Sequence, residues 1–269
     1  MKSSLTPQSL IHHVISKTAS QKLGGDEGIH FGPAEREIRG MTVAWMATPE
    51  AIQAAGESGH QLLVVHESLF QPYDVIHSAH PPDNWESWPV NAVKRELLEH
   101  YKLTVVRLHL SVDELFILDR FSELLELGPP VHEDGLVKVY ERDFMTAREL
   151  VGHVKQRLKM ASVRVAGLST TAALDRPVRR IGCPWGGLGL FVNVAYQQEL
   201  VAQKCDILIG GECDNYGFRF AVESGVPIIE TSHDISEDPG VEDFAEWLKT
   251  EYPEVEVKFV PSPCIWEAH

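Results

Sequence analysis

The strongest constraint on this chain is an alternation that occurs twice. From Thr42 the runs TVAWMA, QLLVVHES and LTVVRLHL are separated by the helix-like segments PEAIQAAGESG and VNAVKRELLEHY, and ELFILDRFSELLEL follows the third. From Arg179 the runs RRIGCPW, DILIGGE and VPIIETSHDISED alternate in the same way with NVAYQQELVAQK, NYGFRFAVESG and GVEDFAEWLKTEY. Short apolar runs such as LLVV, bounded by polar residues, fit strands covered on both faces. Strands alternating with helices imply right-handed crossovers and parallel pairing. The expected fold is therefore α/β: two similar, pseudo-duplicated lobes, mainly parallel sheets with helices on both faces.

The expected division is a lobe over residues 1–130, a connector over 131–177 and a second lobe over 178–269, with the functional site between the lobes. Gly128, Pro129 and Pro130 break the first lobe's last helix. The connector reads as strand LVKVYE, a helix opening at Thr146 with Glu149 completing a capping box, and strand ASVRVAG. Before Thr42, the spacing of Leu10, Ile11, Val14 and Ile15 predicts an amphipathic first helix. GGDEGIHFG, residues 24–32, reads as a glycine-rich structural turn or a lip over a site, with His30 outside the ligand set.

The repeat also carries polar residues. In open α/β sheets, ligands gather past the carboxyl ends of the strands. In the first half the second strand runs into His66 and Glu67, and the third into HLSVD, His109 to Asp113. In the second half the second strand ends at Glu212, and the third runs into His233 and Glu237, another histidine followed four residues later by an acid. Carboxylates crowded into one pocket repel, and a divalent cation relieves that repulsion. A metal site follows, with two ions fitting the number of donors. The long segment 71–89, with His77, His80, Trp85 and Trp88, reads as a lid or a subunit contact. Trp266 is also compatible with a subunit contact.

Charge and cysteine content narrow the alternatives. A formal net charge of -15 disfavours nucleic acid as a partner. The cysteines, Cys183, Cys205, Cys213 and Cys264, form no C-x-x-C pair, so reduced, packed thiols in a cytoplasmic protein are expected. No apolar run approaches a membrane span, and the first residues lack the apolar core of a secretory signal. No phosphate loop is present; Arg36, Arg39, Arg179 and Arg180 are the candidates for contacting a phosphate.

These motifs, in this order, resemble the dinuclear-metal-centre family known as type-2 GTP cyclohydrolase I, or NGG one-interacting factor three-like. The family's His-His-Pro corresponds to His66, Glu67 and Ser68, its H-T-x-L-D to HLSVD, and its G-H-x-x-x-E to Ser232, His233 and Glu237. VAWMATPEAIQAA resembles the family's V-A-L-D-x-T-P-E helix start, with Met46 where the family has an acid. MTARELVGHVKQRL followed by RVAG resembles the connector of short members. The resemblance implies a homo-hexamer of two-lobed subunits, with two divalent ions (Mn, Fe, Mg or Zn) per chain held by His66, Glu67, Asp113, His233 and Glu237. The resemblance makes His109 a nearby orienting residue, Glu237 the candidate bridging carboxylate and Glu212 a supporting group or base; from their places in the repeat, His109 or Glu212 is expected to move protons. Glu67 in place of a second imidazole either adds a hard oxygen donor, which favours manganese, iron or magnesium over zinc, or serves as a proton acceptor instead of a ligand. The expected activity is metal-dependent hydrolysis of a small-molecule substrate by a metal-activated water, of the cyclohydrolase or amidohydrolase type. The alternative is a non-catalytic, metal-binding oligomeric scaffold or regulatory protein.

Overall fold

A computed structural model describes residues 4–263, 265 and 266. The first segment supplies α1 (Pro7–Ile15), β1 (Gly28–Phe31), β2 (Gly40–Ala44), α2 (Pro49–Glu57), β3 (Leu62–Val65), α3 (Pro89–Tyr101), β4 (Thr104–Arg107) and the single turn α4 (Leu110–Val112). Next come α5 (Leu118–Leu124), β5 (Pro130–Asp134), β6 (Val137–Thr146), α6 (Ala147–Arg157), β7 (Arg164–Ala166), α7 (Thr171–Leu174) and β8 (Pro177–Gly182). They are followed by α8 (Val194–Ala202), β9 (Ile207–Gly210), α9 (Asn215–Glu223) and β10 (Ile228–Glu230), and the chain ends with α10 (His233–Glu251) and β11 (Glu256–Val260).

The chain divides into two compact units, residues 1–117 with 240–262, and residues 118–239 with 263–269. The first unit holds a five-stranded sheet in the order β1-β4-β3-β2-β11, parallel except for the antiparallel edge strand β1. On one face α2 and α3 share a core with Leu63, Val65 and Val105, built from Ala51, Ile52, Ala55 and Leu98. Elsewhere in this unit α1 buries Leu10, Ile11, Val14 and Ile15, as its spacing predicts. Its His13 stacks on Trp247 and reaches Glu251 of α10.

The second unit holds a six-stranded sheet in the order β5-β6-β8-β9-β10-β7. Only β8, β9 and β10 are mutually parallel; β5, β6 and β7 pair antiparallel. Val139, Leu200, Leu208, Ala221 and Ile228 form its core. Cys183, Cys205 and Cys213 are buried free thiols, and burial pushes the last two up to about 12. Cys264 lies outside the described residues.

Three expectations change. The residues expected as a connector are part of the second sheet, because β5, β6 and β7 bond into it. The duplication accordingly starts earlier than the sequence indicates: α6 and β7 occupy in the second unit the places of α1 and β1 in the first. Each helix is closed by a threonine capping box, at Thr6 and Thr146, and each short strand pairs antiparallel with the third strand of its parallel trio. Residues 240–262 belong to the first unit, where β11 lies beside β2. Finally, the glycine-rich turn contains the strand β1, an edge position that needs only a few residues.

Among the described residues, no helix is long and apolar enough to cross a membrane. One contact in the first core is tight enough to test. A Cβ on Gly56 of α2 would lie 2.1 Å from Cγ of Tyr101, the rigid base of its ring. Alanine favours a helix over glycine by about 1 kcal/mol, whereas overpacking costs about 1–3 kcal/mol. Gly56→Ala is expected to lower stability on balance, measured as a lower urea midpoint with an unchanged slope.

Candidate metal centre

In the first unit, the sheet sets the donors by ending three strands together. β3 stops at Val65, and the backbone N–H groups of His66 and Glu67 both donate to the Trp45 carbonyl just past β2, at 3.1 and 2.7 Å. Both side chains are buried, at 1% and 2% exposure. β4 stops at Arg107 and leads to His109 at the start of α4. Glu27 fixes that start: its Oε1 accepts from the His109 N–H at 2.8 Å, the Ser111 N–H at 2.9 Å and the Ser111 hydroxyl at 2.6 Å. Its Oε2 accepts from the Gly24 N–H, which ties down the glycine-rich turn.

Asp113 follows in a π-helical turn, Asp113–Ile117, between α4 and α5, and such turns recur at functional sites. One Asp113 oxygen lies 3.7 Å from His66 Nε2 and the other 4.0 Å from His109 Nε2. His66, Glu67 and His109 each present a ligand atom within 4.8 Å of the other two. Imidazole nitrogen with carboxylate oxygen is a donor set suited to manganese, iron or zinc.

Under these donors lies Arg107, which has no exposed surface. Its Nε donates to the His66 carbonyl at 3.0 Å and its Nη2 to the Tyr73 hydroxyl at 2.7 Å. Asp26 sits 3.1 Å from Nη1, Asp74 at 3.5 Å, and Glu67 at 3.5 Å from Nη2. Asp26 also receives His109 Nδ1 at 2.7 Å. Burial alone would raise the Asp26 carboxyl, but the His109 hydrogen bond and the charges of His109 and Arg107 hold it well below the usual range. Burial and the Glu67 charge push Tyr73 up to about 12.

Two further histidines adjoin this group. His77 Nδ1 is 2.7 Å from Asp74, and its ring meets His30 edge to face at 5.0 Å. His30 Nε2 donates to the Asp26 carbonyl at 3.1 Å. Burial, then the charges of His77 and Arg107, lower His30 to about 4.

In the second unit, β9 ends at Gly210 and the chain passes through Gly211 to Glu212, whose N–H donates to the Gly186 carbonyl at 2.7 Å. After β10 the backbone turns at Ser232 with φ +93, a strained value for a residue with a side chain. His233 then opens α10, so His233 and Glu237 stand one turn apart on a helix instead of at a strand end. The expected helix GVEDFAEWLKTEY starts only at Gly240, after a strand expected to run into His233 and Glu237. The helix instead runs through Pro239, and Gly240 serves packing: a Cβ there would lie 2.6 Å from Ile117 Cα.

His233 Nε2 lies 3.2 Å from Glu237 Oε1, and its Nδ1 lies 3.1 Å from Glu212 Oε2. The hydrogen bond to His233 lowers the Glu212 carboxyl against the opposing effect of burial. The glycine-rich turn after β8 wraps this group closely. A Cβ on Gly186, which has φ +52, would lie 1.8 Å from Glu237 Oε1, so a side chain there would displace the Glu237 carboxylate.

The other residues singled out from sequence are engaged elsewhere. Arg39 pairs with Glu37, Arg179 and Arg180 both pair with Glu141, and Arg36 donates to the Lys102 carbonyl. His80 is exposed, and Trp85 packs on Phe70 in the first core. The indole N–H of Trp266 donates to the Ser232 hydroxyl at 3.3 Å. Sequence reasoning missed Asp26, Glu27, Tyr73 and Arg107. The signal available was the adjacent acids in the glycine-rich turn and a lone arginine closing an otherwise apolar strand.

The Duf34/NIF3 (NGG1p interacting factor 3) family model matches residues 9–265. Among solved structures, the structural-genomics protein ybgI, of unknown function, superposes with a TM-score of 0.76 at 18% identity, over 97% of this chain and 99% of that one. A Bacillus cereus protein related to NIF3 gives 0.76 at 14% identity, over 99% and 100% of the two chains. Reduced HcgD from Methanocaldococcus jannaschii gives 0.70 at 18% identity, over 95% and 97%. At these identities the likeness shows a shared fold. None of the curated proteins matches the chain.

Two predictions follow from the buried charges. Removing the cation in Arg107→Met leaves acids buried without it, and breaking a buried pair typically costs about 3–5 kcal/mol; chemical denaturation is expected to show a loss of that size. His30 is neutral when folded and binds a proton more readily when unfolded. Its burial therefore makes stability fall as pH drops from 6.5 to about 4, by on the order of 3 kcal/mol at 1.36 kcal/mol per pH unit. Asp26 acts in the other sense, stabilising above its unfolded value of 3.8, so it leaves that window to His30. His30→Gln is expected to flatten the stability profile there.

Proposed function

The chain belongs to the Duf34/NIF3 family, and from that premise we propose that it is a metal-binding protein that acts as a hydrolase on a small molecule. The observation that carries this reading is that each unit presents a histidine whose Nε2 faces an acid four residues on and whose Nδ1 meets a second carboxylate. A carboxylate behind a ligating imidazole is the usual support of a metal site. In this proposal His66, Glu67, Asp113, His233 and Glu237 hold two divalent ions. Bound ions of this kind polarise a carbonyl and make water acidic enough to react near neutral pH.

The chain's own residues supply the rest. Of the two residues expected to move protons, Glu212 has the half-exposed carboxylate, at 46% of its side-chain surface, so it exchanges protons with solvent. Arg107 offsets part of the negative charge of Glu67 and Asp26, which lessens the repulsion of a singly charged anion. Arg36, Arg39, Arg179 and Arg180, the candidates for a phosphate, are committed to carboxylates and a carbonyl. A small amide or ester therefore suits the site better than a polyanionic nucleotide. Homo-oligomeric assembly, which the family resemblance implies, belongs to the same reading.

Metal analysis of untagged protein tests it. About two transition-metal equivalents per chain are expected, with loss in Asp113→Ala and in Glu237→Ala. Glu67→His is expected to shift the content toward zinc. Metal retained with no turnover across a panel of small amides and esters favours the scaffold reading, and no metal after incubation with manganese, iron and zinc removes both.

A further inference from the structure

We propose that His109 is a metal ligand aimed by Asp26. The inference rests on the reading that the site holds divalent cations. It comes from comparing the two units, each taken by itself. In the second unit, His233 follows the third strand of the parallel trio, with Nδ1 3.1 Å from Glu212 and Nε2 3.2 Å from Glu237. In the first unit, His109 follows the third strand of its trio, with Nδ1 2.7 Å from Asp26 and Nε2 4.0 Å from Asp113. The acid facing Nε2 is four residues on in both cases.

The two histidines thus have the same arrangement, though the carboxylates behind them come from different places, the turn before β1 and the end of β9. A carboxylate at Nδ1 keeps the proton on that nitrogen and leaves the lone pair on Nε2, the form in which an imidazole ligates. The same carboxylate would also orient a histidine that takes up a proton at Nε2, so the ligand assignment rests on where that nitrogen lies; Asp26 holds the ring there, since Oδ2 meets His109 Nδ1 and also lies 3.1 Å from Arg107 Nη1. Glu27 fixes the backbone on either side of the ring, at the His109 and Ser111 N–H groups.

His109 is also placed where an imidazole is needed. It shares a group of mutually close ligand atoms with His66 and Glu67, and its ring lies 4.8 Å from that of His66. Glu67 stands where the family resemblance has a second histidine, and its Oε2 is turned toward Arg107 and the Ser68 N–H. With His109 as a ligand, the first unit again contributes two imidazoles.

The test uses full-length protein, stripped of metal and reloaded with Co2+. Affinity is read from titration of the visible absorption bands, and imidazole nitrogens per ion from X-ray absorption. His109→Gln is expected to weaken binding by about tenfold or more and to remove one imidazole from the count. Asp26→Asn is expected to keep the count while weakening binding by about 10- to 100-fold, the usual effect of removing a ligand's supporting carboxylate. Circular dichroism checks that each variant folds. Wild-type protein that binds Co2+ while His109→Gln keeps the same affinity and nitrogen count overturns this inference and leaves the metal reading standing. Unchanged affinity in Asp26→Asn overturns it as well, even where His109→Gln does not fold. Wild-type protein that takes up no Co2+ overturns the metal reading itself.

Discussion

A guanidinium with no exposed surface must be matched by negative charge and by acceptors, and in the first unit Arg107 organises both. It ends β4, so its backbone is fixed by the parallel register with β3, where Val65 stands opposite it. From there its side chain reaches back to the carbonyl of His66, one residue past β3. The sheet's own geometry thus holds the peptide that carries the candidate donors. The same group gathers Asp26 from the turn before β1, and Tyr73 and Asp74 from the segment after β3. Desolvating an arginine costs several kcal/mol, which is recovered only if these partners are in place together. The glycine-rich turn and the 71–74 segment are therefore ordered by the same charge that steadies the site.

The second unit solves the corresponding problem with the charges exchanged. At the place of Arg107 on the third strand stands Glu230, 3% exposed, and its partner Arg164 comes from the antiparallel edge strand, at 2.7 Å. Duplication preserved the strand order and the histidine that follows it, while the sign of the buried charge beneath was free to change. What has to be kept is a compensated pair at the end of the third strand, because that is where the chain leaves the sheet to form the donor-bearing turn.

Much of this was legible in the sequence, for identifiable reasons. Strands such as LLVV and ILIG are buried on both faces and so read as unbroken apolar runs. Helices opened by Thr48 and Thr146 carry their caps in the residue types themselves. The histidines and acids past the strands stood out because the pattern repeats. What could not be read depends on partners distant in sequence. β1 is four residues long and becomes a strand only by pairing with β4. β11 returns to β2 across more than two hundred residues, and nothing local in EVKFV specifies that neighbour. The helix start at His233 was hidden because α10 runs through Pro239, a residue that locally disfavours a helix interior.

The supporting residues were missed for a related reason, and it bears on how Glu67 should be understood. Read alone, a carboxylate in place of an imidazole adds charge to an already acidic pocket and tilts it toward harder metals. Read with Arg107, its negative charge is partly spent inside the protein, since Oε2 lies 3.5 Å from Nη2 and also accepts the Ser68 N–H. The net change at the site is then smaller than the substitution implies: one donor becomes a salt-bridged oxygen, and a buried cation accompanies it. Substituting at position 67 therefore alters the balance of the whole Arg107 cluster, from Tyr73 to Asp26. A histidine there would leave the guanidinium with one fewer acid, so the metal preference and the stability of this unit are coupled through a single buried side chain.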